Sequence, residues 1–165
     1  FFTMKKISIV WIVLIQLIIA FEWLHSSWGK WAESGFINNI SKTLEGFASK
    51  TPYSTYSDFL TSFAIPHAEL FGNIIRIGEL AVGIVLLITS LILLCRKSLP
   101  KYVVWLTAIA CFGGAFMNIN FFLASGASSP SSWGLNIMMV LVQIILGIFY
   151  IKSRTELAQN NEAVV

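Results

Sequence analysis

The chain alternates between long runs with almost no polar residue and shorter stretches crowded with them. Four apolar runs, about residues 7–24, 74–94, 102–124 and 134–151, each approach or exceed the ~20 mostly apolar residues a helix needs to cross a bilayer. The stretch between the first two, residues 26–73, has a different rhythm. "GFINNISKTLEGFA" puts Phe36, Ile37, Ile40, Leu44 and Phe47 on one helical face, with Asn38, Lys42 and Glu45 elsewhere. "YSTYSDFLTSFAIP" repeats the idea with Tyr56, Phe59, Leu60 and Phe63, and Pro66 closes it. The pattern predicts an all-α, integral membrane four-helix bundle in one domain over residues 1–165. Amphipathic outer helices between the first and second spans lie on the membrane surface or cap the bundle. A short polar tail, 152–165, follows the last span.

Composition narrows the class. Only 12% of the 165 residues are charged and mean hydropathy is +0.77, whereas soluble domains carry about 25% charge. Such a chain cannot cover itself with polar surface in water. Met4 before Lys5 and Lys6 reads as a natural start, and no small-residue cleavage site follows the first apolar run, so that run is expected to stay as a span. Lys5, Lys6, Arg96, Lys97, Lys101, Lys152 and Arg154 flank one side of the spans. Lys30, Lys42 and Lys50 flank the other, diluted by Glu33, Glu45, Asp58 and Glu69. The positive-inside rule then places both termini in the cytoplasm, with the plasma membrane as the expected location. These basic residues mark a membrane edge and form no patch for nucleic acid. Cys95 and Cys111 lie at different depths, so no disulfide is expected, and no metal-binding pattern, phosphate loop or dinucleotide fingerprint is present.

The candidate chemistry is a set of polar residues at one depth. At 1.5 Å per residue, Asn118 lies ~24 Å along the third span and Glu22 and His25 ~22 to 27 Å along the first. Arg76 and Glu79 lie within ~8 Å of the outer end of the second span, and Asn136 opens the fourth. The other halves of the spans carry almost nothing comparable. Asn118 and Asn120 are two residues apart and point ~200° away from each other, so only one faces the bundle centre. Asn118 is the expected inward one, lining a polar pocket with Glu22, His25, Glu79 and Asn136, while Asn120 does a structural job. Ionisable groups within a membrane are costly and mark functional sites. The alternative is polar glue between helices.

Four segments bear on family. "SSWGKW" (26–31) is similar to the G-W-x-K motif of the DoxX/DoxD family of small four-helix membrane proteins, with Ser27 in place of the glycine. "YSDFL" (56–60) resembles that family's W-Y-x-x-F-L segment, "GELAVGIVLLI" (78–88) its G-E-L-x-x-G-x-x-L-L stretch, and "GAFMNINFFLASGASSP" (114–130) its G-A-x-M-N-x-N-F-x-L-A-G segment. The resemblance spans about residues 7–151. It implies a four-helix membrane bundle and, through the DoxD subunit of a thiosulfate:quinone oxidoreductase, electron transfer into membrane quinone. Its motif positions here are Trp28, Lys30, Glu79, Asn118 and Asn120; Glu22, His25 and Arg76 come from depth alone.

Two functions follow as expectations. The first is a redox subunit in which quinone is a substrate and no covalent cofactor or metal is implied. The quinone headgroup hydrogen-bonds to Asn118 and His25, and Glu79 exchanges protons. Lys30 and Arg76 attract thiosulfate or a similar anion at the mouth, Trp28 is a further ligand-binding candidate, and a second subunit supplies an electron carrier unless substrate and quinone react directly. The other is a non-catalytic membrane adaptor, assembly factor, or lipid or small-molecule binding protein. Beside the bilayer itself, a homo-oligomer is the remaining partner to consider.

Overall fold

The structure, a computed structural model, describes residues 2–32, 35–95, 99–125 and 129–162, with side chains described between 9 and 152. The basic residues Lys5, Lys6, Arg96, Lys97 and Arg154, and Glu33 on the opposite side, lie outside the described side chains. Six helices follow one another among the described residues: α1 (Phe2–Ala32), α2 (Phe36–Lys50), α3 (Ser54–Phe59), α4 (Ala68–Cys95), α5 (Lys101–Ser125) and α6 (Pro130–Glu162). Between α3 and α4 the chain makes a wide helical turn over Leu60–Ala64, closed by a bond from the Ile65 amide to the Leu60 carbonyl at 2.8 Å. α1, α4, α5 and α6 contain the four spans, Ile9–Ala32, Ala68–Cys95, Lys101–Ser125 and Pro130–Lys152. The protein is an all-α integral membrane bundle, and its outward helix faces are built for contact with lipid.

Two boundaries differ from those that hydropathy alone suggests. α1 continues to Ala32 and α4 already begins at Ala68, so the outer connection is shorter than 26–73. Hydropathy falls at Glu22, but the backbone meets no proline, and Trp23 and Ser27 carry the buried face onward. α6 likewise continues through the polar tail as far as Glu162.

The faces are sorted in the sense that suits a bilayer. On α1 the exposed stripe is Trp11, Leu14, Ile18 and Phe21, whereas the buried stripe is Val13, Gln16, Ala20, Trp23 and Ser27. Apolar side chains meet lipid, while small and hydrogen-bonding ones meet protein. α1 packs closely on α4 and α5 on α6; the two pairs join mainly across α4 and α5. Gly83 stands where α1 comes closest, since a Cβ there would lie 2.7 Å from Leu24 Cγ and 3.1 Å from its backbone nitrogen. The outer helices bury Ile40, Leu44, Leu60 and Ala64 in a separate small core with Phe71 of α4 packed against it, and so cap one end of the bundle.

The uncapped half of the bundle is more polar than expected. Gln16 is fully buried, donates to the Leu86 carbonyl at 2.9 Å and accepts from the Tyr150 hydroxyl at 2.6 Å. That one side chain ties α1 to α4 and α6. Thr89 and Thr107 share a hydrogen bond of 2.8 Å between α4 and α5. The expectation that this half carries almost nothing comparable is therefore wrong. Each group has a partner on another helix or in the preceding turn, which reading one span at a time does not show.

Candidate functional site

Beneath the cap, the last turn of α1 brings Lys30 against α4. Lysine suits a helix C-terminus, where it opposes the negative end of the dipole. Here Lys30 folds back one turn so that its Nζ donates to the Ser26 carbonyl at 3.3 Å and to Ser26 Oγ at 2.9 Å. The same ammonium donates to both carboxylate oxygens of Glu79, at 2.9 and 2.7 Å. Ser26 Oγ completes the triangle by donating to Glu79 Oε2 at 3.2 Å. Glu79 is 0% exposed, whereas the Lys30 side chain keeps 22% of its surface. A buried charge is tolerable only when paired and hydrogen-bonded, and this carboxylate has both. Glu79 thus meets groups of the first helix and does not face lipid.

A pocket of about 320 Å³ opens beside the pair. Its polar wall is Ser26, Lys30, Thr43, Glu79, Ser125, Ser132 and Asn136, drawn from α1, α2, α4, α5 and α6, and its apolar wall includes Ile40, Phe47, Ile75 and Phe121. The arrangement offers a partly accessible ammonium, an amide and hydroxyls to a hydrogen-bond acceptor. A carboxyl group stands behind them to exchange a proton.

Of the eight side chains singled out from the sequence, Lys30, Glu79 and Asn136 are brought together here. The other five are not. Asn118 is buried, but its Nδ2 donates to Gln143 Oε1 at 3.0 Å in the α5–α6 interface. His25 lies on the exposed side of α1, stacked on Phe21 with ring centroids 5.7 Å apart. Trp28 is 75% exposed. Arg76 turns from Glu79 and places its guanidinium 4.3 Å from the centre of the Trp31 ring. Glu22 is half-buried and lines neither this pocket nor the apolar cavity beside it. The pocket that groups Asn118, Glu22 and His25 with Glu79 is therefore corrected: common depth does not bring a common facing. Ser26, Thr43, Ser125 and Ser132 join the site without having been expected there. Ser26 alone has a sequence signal, its position one turn before Lys30.

Asn120 does what its ~200° offset from Asn118 demands. Its carbonyl and its Oδ1 both accept from the Tyr56 hydroxyl, each at 3.2 Å, so α5 holds the cap. Burial pushes the Tyr56 phenol above its ordinary value of 10.0. A raised value in the folded protein means that this contribution is complete below pH 10 and is lost as pH rises through the folded value. Tyr56→Phe should cost about 0.5–1.5 kcal/mol, as for a typical hydrogen bond. It should also remove this residue's share of the alkaline loss, as detergent melting curves between neutral pH and pH 11 will show.

No family model, curated protein or solved structure matches the chain. The fold brings the four motif segments of the sequence together in two pairs. "SSWGKW" meets "GELAVGIVLLI" through Lys30 and Glu79, and "YSDFL" meets "GAFMNINFFLASGASSP" through Tyr56 and Asn120.

Proposed function

We propose that the protein is a membrane-embedded redox subunit of DoxX/DoxD type whose Lys30–Glu79 pocket takes the headgroup of a membrane quinone. The buried ion pair, saturated on one side and open to a pocket on the other, carries this reading. Lys30 and Asn136 donate to a quinone carbonyl. Reduction to the quinol takes up two electrons and two protons. Lys30 and Glu79 are the groups placed to relay the protons, and the electrons come from a small sulfur compound or a partner subunit. Glu79 belongs to one of the two segments, 78–88 and 114–130, whose likeness is specific, which supports the same assignment.

The decisive experiment uses the purified protein in lipid nanodiscs, with a tailless benzoquinone titrated by calorimetry. Binding should weaken at least tenfold in Asn136→Leu and Lys30→Gln, and solvent extraction of the native protein should yield quinone. Absence of quinone together with no binding of the headgroup would overturn the reading. A non-catalytic binding protein is the second reading, favoured by the fact that no carrier of electrons is evident in the sequence. It would give binding without reduction when thiosulfate is supplied.

The reading places the pocket on the outer face of the plasma membrane, with both termini in the cytoplasm. In cells carrying a variant without Cys95, an impermeant thiol reagent should label Ser41→Cys at once. It should reach Lys101→Cys only after the cells are opened; labelling of position 101 in intact cells would invert the topology.

A further inference from the structure

A second cavity, of about 200 Å³, lies between the cap and helices α4 and α5. Its lining is almost wholly apolar, including Leu44, Phe47, Leu60, Ala64, Phe71 and Met117. Its two polar side chains, Tyr56 and Asn120, bond to each other, so neither demands a polar guest. Two features say where a guest comes from. Phe116 is 67% and Ile74 55% exposed on the lipid side, and both line the cavity, so its mouth faces the bilayer. At its other edge Ile40, Phe47, Ile75 and Phe121 line both this cavity and the Lys30–Glu79 pocket. An apolar chamber open to lipid and a polar chamber holding an ion pair thus adjoin along these four side chains.

We propose that the cavity receives the first segment of the hydrocarbon chain of a membrane amphiphile whose headgroup occupies the Lys30–Glu79 pocket. The inference rests on the function proposed above and adds the part of the ligand that reading leaves out. The size is suitable, since an apolar cavity of ~150 Å³ admits a benzene molecule and remains closed to water. About one to two isoprene units, or six to eight methylenes, fill the space available by the same measure. The chain leaves past Phe116 and Ile74 into the bilayer, so its total length is unrestricted. The shared chemistry is a hydrocarbon chain, which either an isoprenoid quinone or a phospholipid carries.

The test is a photo-crosslinking map on the full-length protein in nanodiscs. An alkyl benzoquinone with a diazirine six carbons from the ring forms one arm, and a phospholipid with a diazirine at the same depth in its acyl chain forms the other. In the wild-type protein the quinone arm should label peptides containing Leu44 and Met117 at least tenfold more than those containing Ile109 and Leu141, which face lipid. Ala64→Leu, which fills the cavity from a position 1% exposed, should reduce that labelling at least fivefold. It should leave binding of the tailless benzoquinone unchanged. Labelling confined to lipid-facing peptides in both arms overturns the inference, and the wild-type map alone is enough to do so. Labelling of the cavity by the phospholipid arm only would keep the chain site and reject quinone as its source. Loss of tailless-quinone binding at the polar pocket, with cavity labelling intact, would count against the proposed function and not against the cavity.

Discussion

Lys30→Met should destabilise the protein by about 3–5 kcal/mol, the usual cost of leaving a buried charge without its partner. Glu79 is fully enclosed, and after the substitution its only remaining partner among the described hydrogen bonds is the Ser26 hydroxyl. Glu79→Leu should cost less, because the Lys30 ammonium already has a path to the pocket and can hydrate there. The double substitution Lys30→Met/Glu79→Leu should recover most of the loss, since well-packed apolar pairs often equal or exceed buried ion pairs in stability. Chemical unfolding in a fixed detergent, with all four proteins compared as a cycle, measures these differences. The double variant also separates two roles. If the pair merely joins α1 to α4, the double variant is a normal protein. If it is a site, the variant folds and binds no quinone headgroup. Recovery of stability with headgroup binding intact would refute the functional assignment.

Gly83→Val should be the most damaging single change among the glycines at the α1–α4 contact, costing about 1–3 kcal/mol or more through overpacking. The added Cβ would stand 2.7 Å from Leu24 Cγ and 2.8 Å from its Cδ2, with the Leu24 backbone nitrogen at 3.1 Å. Leucine can turn its side chain, but the backbone behind it cannot, so α1 must move away. Glu79 lies one turn along α4 from Gly83, ~6 Å by helical rise. The movement therefore stretches the Lys30–Glu79 contact as well, and headgroup binding should fall together with stability. Gly113→Val is the control, because a Cβ there meets nothing within 4 Å and the change should stay within ~0.5 kcal/mol. Equal melting temperatures for the two variants would show that α1 and α4 are not held at the distance described.

Much of this architecture is written in the order of residues, and the reasons are specific. The four spans are visible because a helix in lipid must be apolar for most of its length. That Glu79 faces protein follows from the cost of an ionised group in hydrocarbon. The divergent tasks of Asn118 and Asn120 follow from an odd spacing on a regular helix. That Asn118 pairs with Gln143 does not follow, because one amide within an apolar run says nothing about which neighbouring helix it faces. The same holds for Gln16 and Tyr150, which are 134 residues apart in the chain and 2.6 Å apart in space. The largest misplacement comes from treating depth as facing. Glu22 and His25 stand at suitable heights on α1, but the face that reaches α4 passes through Trp23, Ser27 and Lys30. Where α1 ends is the missing quantity, because Lys30 finds Glu79 only if the helix survives past the point where hydropathy drops.

The separation of 49 residues from Lys30 to Glu79 also sets a schedule for the ribosome. At ~5–20 residues per second, the carboxylate follows the ammonium by about 2–10 seconds. During that interval Lys30 lacks the carboxylate it pairs with in the folded protein, and Gln16 still lacks Tyr150 from the last helix. The first helix must therefore be accepted by the insertion machinery on its own hydropathy, with Lys30 remaining among lipid headgroups or water. Glu79, arriving later, reaches a bilayer in which its cation already waits, so the costlier of the two charges never enters hydrocarbon alone.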